Sequence, residues 1–279
     1  MKIPNKLYKY KAFNQVNLEM LLTSSIYCAN PLTFNDPLDC SPNIILDDRI
    51  ENSYALFNLN YIKTVNEIRA VFKGFEFSEK TQKVLDGFCI SKAEELTAGN
   101  SFDVMVNGYS NIISGSLIRY LNPGVFSLAE EMDSILMWSH YAEQHNGFCF
   151  GYSINKLSDD INHLHPVDYN QKDASIDISM LLDMIEGKEK NKVQSEIFSA
   201  ALLKKTKDWE YEKEWRFIDQ IGTKKTSLLK ITDLYFGLRF NEKVRTMIMK
   251  SLKNDNISFH QMVRKIDEYK LESRQLSLP

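Results

Sequence analysis

The sequence predicts an α+β fold, with a central mixed or antiparallel sheet and a mostly helical insertion. Three observations predict it. The chain of 279 residues is rich in Phe (16) and Tyr (13), residues that suit pleated, half-buried surfaces. Short strand-like runs are scattered from the first residues to the last hundred rather than alternating regularly with helices, which argues against a purely parallel α/β sheet. Residues 46–120 carry helical periodicity in pieces, in Tyr54, Leu56, Phe57 and Leu59, then in Ile62, Val65 and Ile68. A single α+β domain over residues 1–279 is expected, with 46–120 as its helical side lobe.

The elements read in order. Leu7-Tyr8-Lys9-Tyr10 is a first strand. Asn14 is placed to cap a short helix, because its side chain can accept from an orphan backbone N–H. Phe13 and Leu18 flank it as a hydrophobic staple, and Leu18, Leu21 and Leu22 form its apolar face. Strands are expected near 25–28, 125–128, 148–152, 167–169, 209–218, 234–238 and 259–263. Asp133 should cap a helix reaching Gln144, stopped by Asn146-Gly147 in a left-handed turn. Residues 176–205 read as a long helical region, and 241–252 as another helix.

Composition restricts the function. With Lys+Arg 34 against Asp+Glu 37 and a net charge of −3, a broad nucleic-acid-binding face is not expected. The runs Lys204, Lys205, Lys207 and Lys188, Lys190, Lys192 fit a solvated helix face. Cys28, Cys40, Cys89 and Cys149 are far apart and form no Cys-x-x-Cys pair, so a Cys-rich structural zinc site is not expected and no metal ligand is assigned. No signal peptide is read in Met1-Lys2-Ile3-Pro4 and no apolar run is long enough to span a bilayer. A cytoplasmic protein with reduced thiols and no membrane partner follows as an expectation.

Three segments can carry chemistry. In Trp209-Glu210-Tyr211-Glu212-Lys213-Glu214-Trp215-Arg216-Phe217, a strand would put Glu210, Glu212, Glu214 and Arg216 on one face, neighbours roughly 7 Å apart. Such a row of carboxylates raises its own pKa values unless water, Arg216 or a ligand relieves it; an exposed face with an internal salt bridge explains it equally. In Met137-Trp138-Ser139-His140-Tyr141-Ala142, Trp138 and Ala142 share a core-like stripe with Ile135. His140 and Tyr141 point elsewhere and can bind a ribose or stack on a base. In Phe34-Asn35-Asp36-Pro37-Leu38-Asp39, Asn and Asp before Pro make a tight turn that can also close over a ligand. Neither a Gly-rich phosphate loop nor a Gly-x-Ser-x-Gly elbow is present.

Taken together, these segments resemble a bacterial family catalogued as domain of unknown function 2971. The likeness is carried by Leu7-Tyr8-Lys9-Tyr10, Phe34 to Asp39, Met137 to Ala142 with His145 and Gly147, Trp209 to Arg216, and Tyr235-Phe236-Gly237-Leu238-Arg239. It departs from that pattern at Leu38, where the family often has Phe, and at Lys11, where it often has Arg. That family implies no established activity. More distantly, the layout of aromatic and basic first strand, helix, strand, polar loop and late Glu-x-Glu looks like the ADP-ribosyltransferase superfamily. There a first-strand polar residue, a mid-chain aromatic or hydroxyl residue and a late glutamate hold NAD.

That resemblance implies an ADP-ribosyltransferase-like sheet core, NAD as substrate, and a nucleic-acid or protein acceptor, in a toxin or antiphage defence effector. Glu214 would stabilise the cationic sugar and orient its hydroxyl, and Glu212 would orient or deprotonate the acceptor. Tyr141 with Tyr8 or Tyr10 would sandwich nicotinamide, with His140 beside them. Lys9, Asn35, Asp36 and Trp138 would complete the binding set. Two other classes stay open: a non-catalytic module sensing a nucleotide or phage component, and a metal-dependent nuclease using Asp36, Glu212, Glu214 and His140. Oligomeric state is not legible.

Overall fold

The computed structural model describes residues 2–45, 114–170, 175–177, 180, 190–253 and 255–278. Most of the expected helical lobe at 46–120, and Cys89 with it, lies outside the described residues. Contacts group the chain into two compact units: Met1–Thr33, Asn122–Tyr169 and Lys205–Pro279 form one, and Phe34–Leu121 with Asn170–Lys204 the other.

The first unit is built on an eight-stranded mixed sheet. Its strands are β1 (Lys6–Lys11), β4 (Pro123–Ala129), β5 (Phe148–Ile154), β6 (Leu164–Pro166), β8 (Glu214–Gln220), β10 (Leu229–Phe236), β11 (Ser258–Arg264) and β12 (Leu271–Leu276). They lie in the order β12-β11-β10-β5-β1-β4-β8-β6. Every pair is antiparallel except β10 with β11. A small ladder of β2 (Ile26–Cys28) and β9 (Gly222–Lys224) is tied to the sheet by the bridge Ala29–Val125.

Alternation along the strands gives the sheet two different faces. Leu7, Phe126, Leu128, Phe148, Phe150, Tyr152, Trp215, Phe217, Leu234, Phe236 and Phe259 pack into the larger core on one face. The other carries Tyr10, Ala129, Cys149, Tyr235 and Met262, covered by Met137 and Trp138 of a helix, α3 (Ile135–Tyr141). In β10 the register against β5 shifts between Ile231 and Asp233. This bulge keeps Leu229 and Ile231 in the larger core and turns Asp233 and Tyr235 to the opposite face, as an extra residue in one strand must.

Local sequence explains the helix ends. Asn14 caps α1 (Gln15–Thr23), its side chain accepting from Asn17 N at 2.9 Å. Leu21 is buried in that helix, whereas Leu22 of the expected apolar face is exposed. Asn241 caps α5 (Glu242–Ser251), accepting from Lys243 N and Val244 N. α3 is capped by Ser134 rather than Asp133 and ends at Tyr141 rather than Gln144. Its left-handed exit is made by Glu143, Gln144 and His145, not by Asn146-Gly147. Gly147 is required for a different reason: a Cβ there would lie 2.2 Å from the Lys11 carbonyl oxygen.

Two strand expectations need correction. The segment expected at 167–169 pairs three residues earlier, as β6. The strand expected from Trp209 starts only at Glu214, because Lys207–Glu212 is a 3-10 turn. Asp208 and Glu210 lie in its first turn, where carboxylates suit the positive end of a helix. Lys213 then reverses the chain in the left-handed region, at φ 43.

In the second unit, β3 (Asn43–Ile45) pairs in parallel with β7 (Ser175–Asp177), joining Ile44 and Ile176 in its core. Residues 114–121 form α2. Ser175–Asp177 being a strand, the long helix expected from 176 is described only as α4 (Lys190–Leu202). Val193, Ile197, Ala200 and Ala201 are its buried stripe, at helical spacing. Among the described residues, no helix is long and apolar enough to cross a membrane.

Candidate functional site

Although Glu212 lies outside the strand, the left-handed Lys213 brings it back beside Glu214. Both carboxylates meet one ammonium: Lys205 Nζ is 2.5 Å from Glu212 Oε2 and 3.0 Å from Glu214 Oε2. Arg216, two residues on and so on the same face of β8, donates from Nε to Glu214 Oε1 at 2.9 Å and from its terminal nitrogen to Oε2 at 3.0 Å. Ser127 stands opposite Arg216 on β4 and adds to the groups that hold the Glu214 carboxyl down. Tyr141 donates to Glu212 Oε1 at 2.7 Å, and the Tyr169 hydroxyl accepts from Glu214 N at 2.8 Å. Lys205, expected on a solvated face, is 6% exposed at its side chain, and Arg216 is 0% exposed.

The electrostatics follow from that geometry. Burial alone would push the Glu214 carboxyl up, but the Arg216 guanidinium and the Lys205 ammonium outweigh it and hold the carboxyl well below the usual range. Burial, then the Glu212 carboxylate, push the Tyr141 hydroxyl well above its ordinary value. The cluster thus holds two carboxylates and two cations away from water, where breaking one partner is costly.

Register decides which first-strand residues share this face. Tyr8 stands opposite Ala129 on β4 and Gly151 on β5. Ala129 stands opposite Glu214, and Gly151 opposite Asp233. One row, Asp233–Gly151–Tyr8–Ala129–Glu214, therefore crosses five strands, and Tyr8 is two strand spacings, about 10 Å, from Glu214. Tyr8 and Tyr10 share this face. Lys9 points to the other, its ammonium 5.0 Å over the Phe126 ring. Tyr10 is 4% exposed and donates to the Glu131 carbonyl at 2.7 Å. Trp138 is fully buried with its indole N–H donated to the Met132 carbonyl at 2.8 Å. Both are core side chains whose polar atoms are already used, as the core-like stripe of Trp138 foretold.

At the far end of the row lies a polar cluster that sequence reasoning missed. Asp233 accepts from Lys6 Nζ at 2.6 Å and from Thr232 Oγ1 at 2.7 Å, and lies 3.2 Å from His260 Nε2. The His260 ring stacks on Tyr235 with centroids 4.5 Å apart, and the Tyr235 ring meets Tyr8 edge to face at 5.9 Å. Only the bulge in β10 puts Asp233 here, which simple alternation does not reveal.

His140 is exposed, beside Tyr141 at 6.4 Å between ring centroids. Asn35 and Asp36 belong to the second unit, where Asp36 Oδ1 accepts from Leu38 N at 2.8 Å, the turn its sequence predicts. Among the described residues, no group of three or more His, Cys, Asp or Glu is placed to hold a metal ion. Sequence reasoning also missed Lys205, Tyr169 and Ser127.

No curated protein and no solved structure matches the chain. A family match does fall on this cluster: residues 137–217 match the family described as Protein of unknown function (DUF2971), a stretch from the middle of α3 to β8 that holds Tyr141, Tyr169, Lys205, Glu212, Glu214 and Arg216.

Proposed function

We propose that the chain is an ADP-ribosyltransferase-like enzyme that uses NAD to modify a nucleic acid or protein, acting as a toxin or antiphage effector. One observation carries the reading: β1, β4 and β8 are adjacent strands, so Tyr8, Ser127 and Glu214 stand on one face of the sheet, on the first strand, a mid-chain strand and a late strand. That is the combination of first-strand polar residue, mid-chain hydroxyl and late glutamate which the distant resemblance implies.

The bond between nicotinamide nitrogen and ribose breaks, and its electron pair leaves with the nicotinamide. The sugar carbon becomes cationic, and the Glu214 carboxylate stabilises that charge. A hydroxyl or amine of the acceptor attacks the carbon, and its proton passes to Glu212. Fixed groups give the most when they need no reorganisation, and Arg216 and Lys205 hold Glu214 in one orientation.

A second reading is favoured by the complete pairing of both carboxylates: a module that binds a nucleotide without turning it over. Incubating purified protein with NAD and cellular nucleic acid or protein separates the two. Release of nicotinamide with an ADP-ribose adduct on an acceptor supports the transferase. Calorimetric binding of NAD with no nicotinamide released by folded protein overturns it in favour of the binding module.

A further inference from the structure

We propose that Lys205 is the positioning residue of the acidic pair, the shared ammonium that lets Glu212 and Glu214 stand ionised side by side. What the pair does rests on the transferase reading; its charge state belongs to the folded chain whatever the reaction.

Two carboxylate oxygens sharing one ammonium at 2.5 and 3.0 Å are no more than about 5.5 Å apart. Glu214 has a second cation in Arg216. Glu212 has Lys205 as its bonded cation among the described residues, and its other carboxylate oxygen takes the neutral Tyr141 hydroxyl. Among the described residues, the other ionisable groups that act on the pair leave this asymmetry in place. Tyr211 and Tyr169 are neutral phenols pushed up by burial first. Lys9 acts on it through the sheet. Lys205 is itself fixed: its backbone N–H donates to the Asp168 carbonyl at 3.1 Å, and its ammonium lies 5.0 Å from the Trp209 ring centroid.

Without Lys205, two buried carboxylates face each other across that gap and cannot both ionise freely. With the shared ammonium gone, nothing on Glu212 among the described residues offsets that repulsion, and the pair's last proton moves up in pH. A lysine that served Glu214 alone would leave the raised titration in place when Glu212 becomes glutamine.

The test follows the glutamate carboxyl carbons by NMR across pH in wild type, Lys205→Met, Lys205→Arg and Lys205→Met/Glu212→Gln, with the pH profile of NAD turnover beside it. In Lys205→Met one carboxyl of the pair should titrate at higher pH than in wild type, and the acid limb of turnover should move with it. Lys205→Arg should keep the wild-type titration, and the double variant should lose the raised one. A Lys205→Met pair that titrates as in wild type overturns the proposal. Should Lys205→Met not fold, a folded Lys205→Arg with a raised titration overturns it, and one with the wild-type titration supports it. Wild type that turns over no NAD removes the transferase reading, while the NMR titration still decides the role of Lys205.

Discussion

Tyr141 donates its hydroxyl hydrogen to Glu212 Oε1 across 2.7 Å, joining positions 71 apart in the chain. The bond ties α3 to the 3-10 turn before β8, and it reaches a carboxylate 5% exposed at its side chain. Tyr141→Phe keeps the ring and removes the donor, leaving a buried carboxylate oxygen unpaired. That should cost about 1–3 kcal/mol, read as a lower urea midpoint with an unchanged slope. A shift below about 0.5 kcal/mol would mean that water replaces the hydroxyl and that Glu212 is not sealed in.

Gly147 and Gly115 make an opposed pair of tests. A Cβ at Gly147 would meet the Lys11 carbonyl oxygen at 2.2 Å. That obstacle is backbone held in the β1–β5 ladder, so it cannot swing aside. Gly147→Ala should abolish soluble expression or lower the melting temperature sharply. At Gly115, in α2, the added carbon meets Arg119 at an ordinary 3.5 Å. There alanine should stabilise by about 0.5–1 kcal/mol, from helix propensity alone. Equal melting temperatures for the two variants would contradict both arguments.

Much of this was legible because it depends on neighbours in sequence. Asn14 and Asn241 cap their helices through residues two or three positions away. The aromatic strands follow from alternation. Lys205 was not legible, since a lysine beside Lys204 and Lys207 looks like part of a solvated face. What buries it is a pair of carboxylates brought within reach by the turn at Lys213. The expected row of Glu210, Glu212, Glu214 and Arg216 failed for the same reason. Glu210 is exposed, Glu212 reaches Lys205 from a turn, and only Glu214 and Arg216 keep strand spacing. Asp233 was hidden by a single extra residue in β10, which reverses the face of all that follows.

Lys9 should make stability depend on pH in the opposite direction to an ordinary ion pair. Burial, reinforced by Lys11, lowers its ammonium to about 7 against the weaker pull of Glu214 and Glu212. The unfolded chain binds that proton up to about pH 10.4, so between the two values it holds more protons than the folded chain. Stability must then rise with pH across this window, and the full penalty is present below about 7. Lys9→Met keeps the stem against Phe126 and should flatten this rise. Chemical denaturation at pH 6.5 and 9.5 reads it: the variant should gain on wild type more at the lower pH. A pH-independent difference would show that the Lys9 ammonium reaches water.

Glu214→Gln separates a catalytic carboxylate from a structural one, provided that stability and rate are measured apart. Glu214 is buried against Arg216 and Lys205, so glutamine leaves two cations under-compensated. Breaking such a pair costs about 3–5 kcal/mol, and a lower melting temperature is therefore expected under either reading. The rate per folded molecule is different. If the Glu214 charge stabilises a cationic sugar, its removal should slow NAD turnover by roughly 100- to 1000-fold, about 3–4 kcal/mol at the transition state. The assay is run where urea titration shows the variant to be folded. Affinity for NAD is read separately by calorimetry, because a purely structural change would weaken binding and turnover together. Turnover within a few-fold of wild type in folded Glu214→Gln would end the transferase assignment at this residue. Loss in Glu212→Gln alone would transfer the role to its neighbour across Lys205.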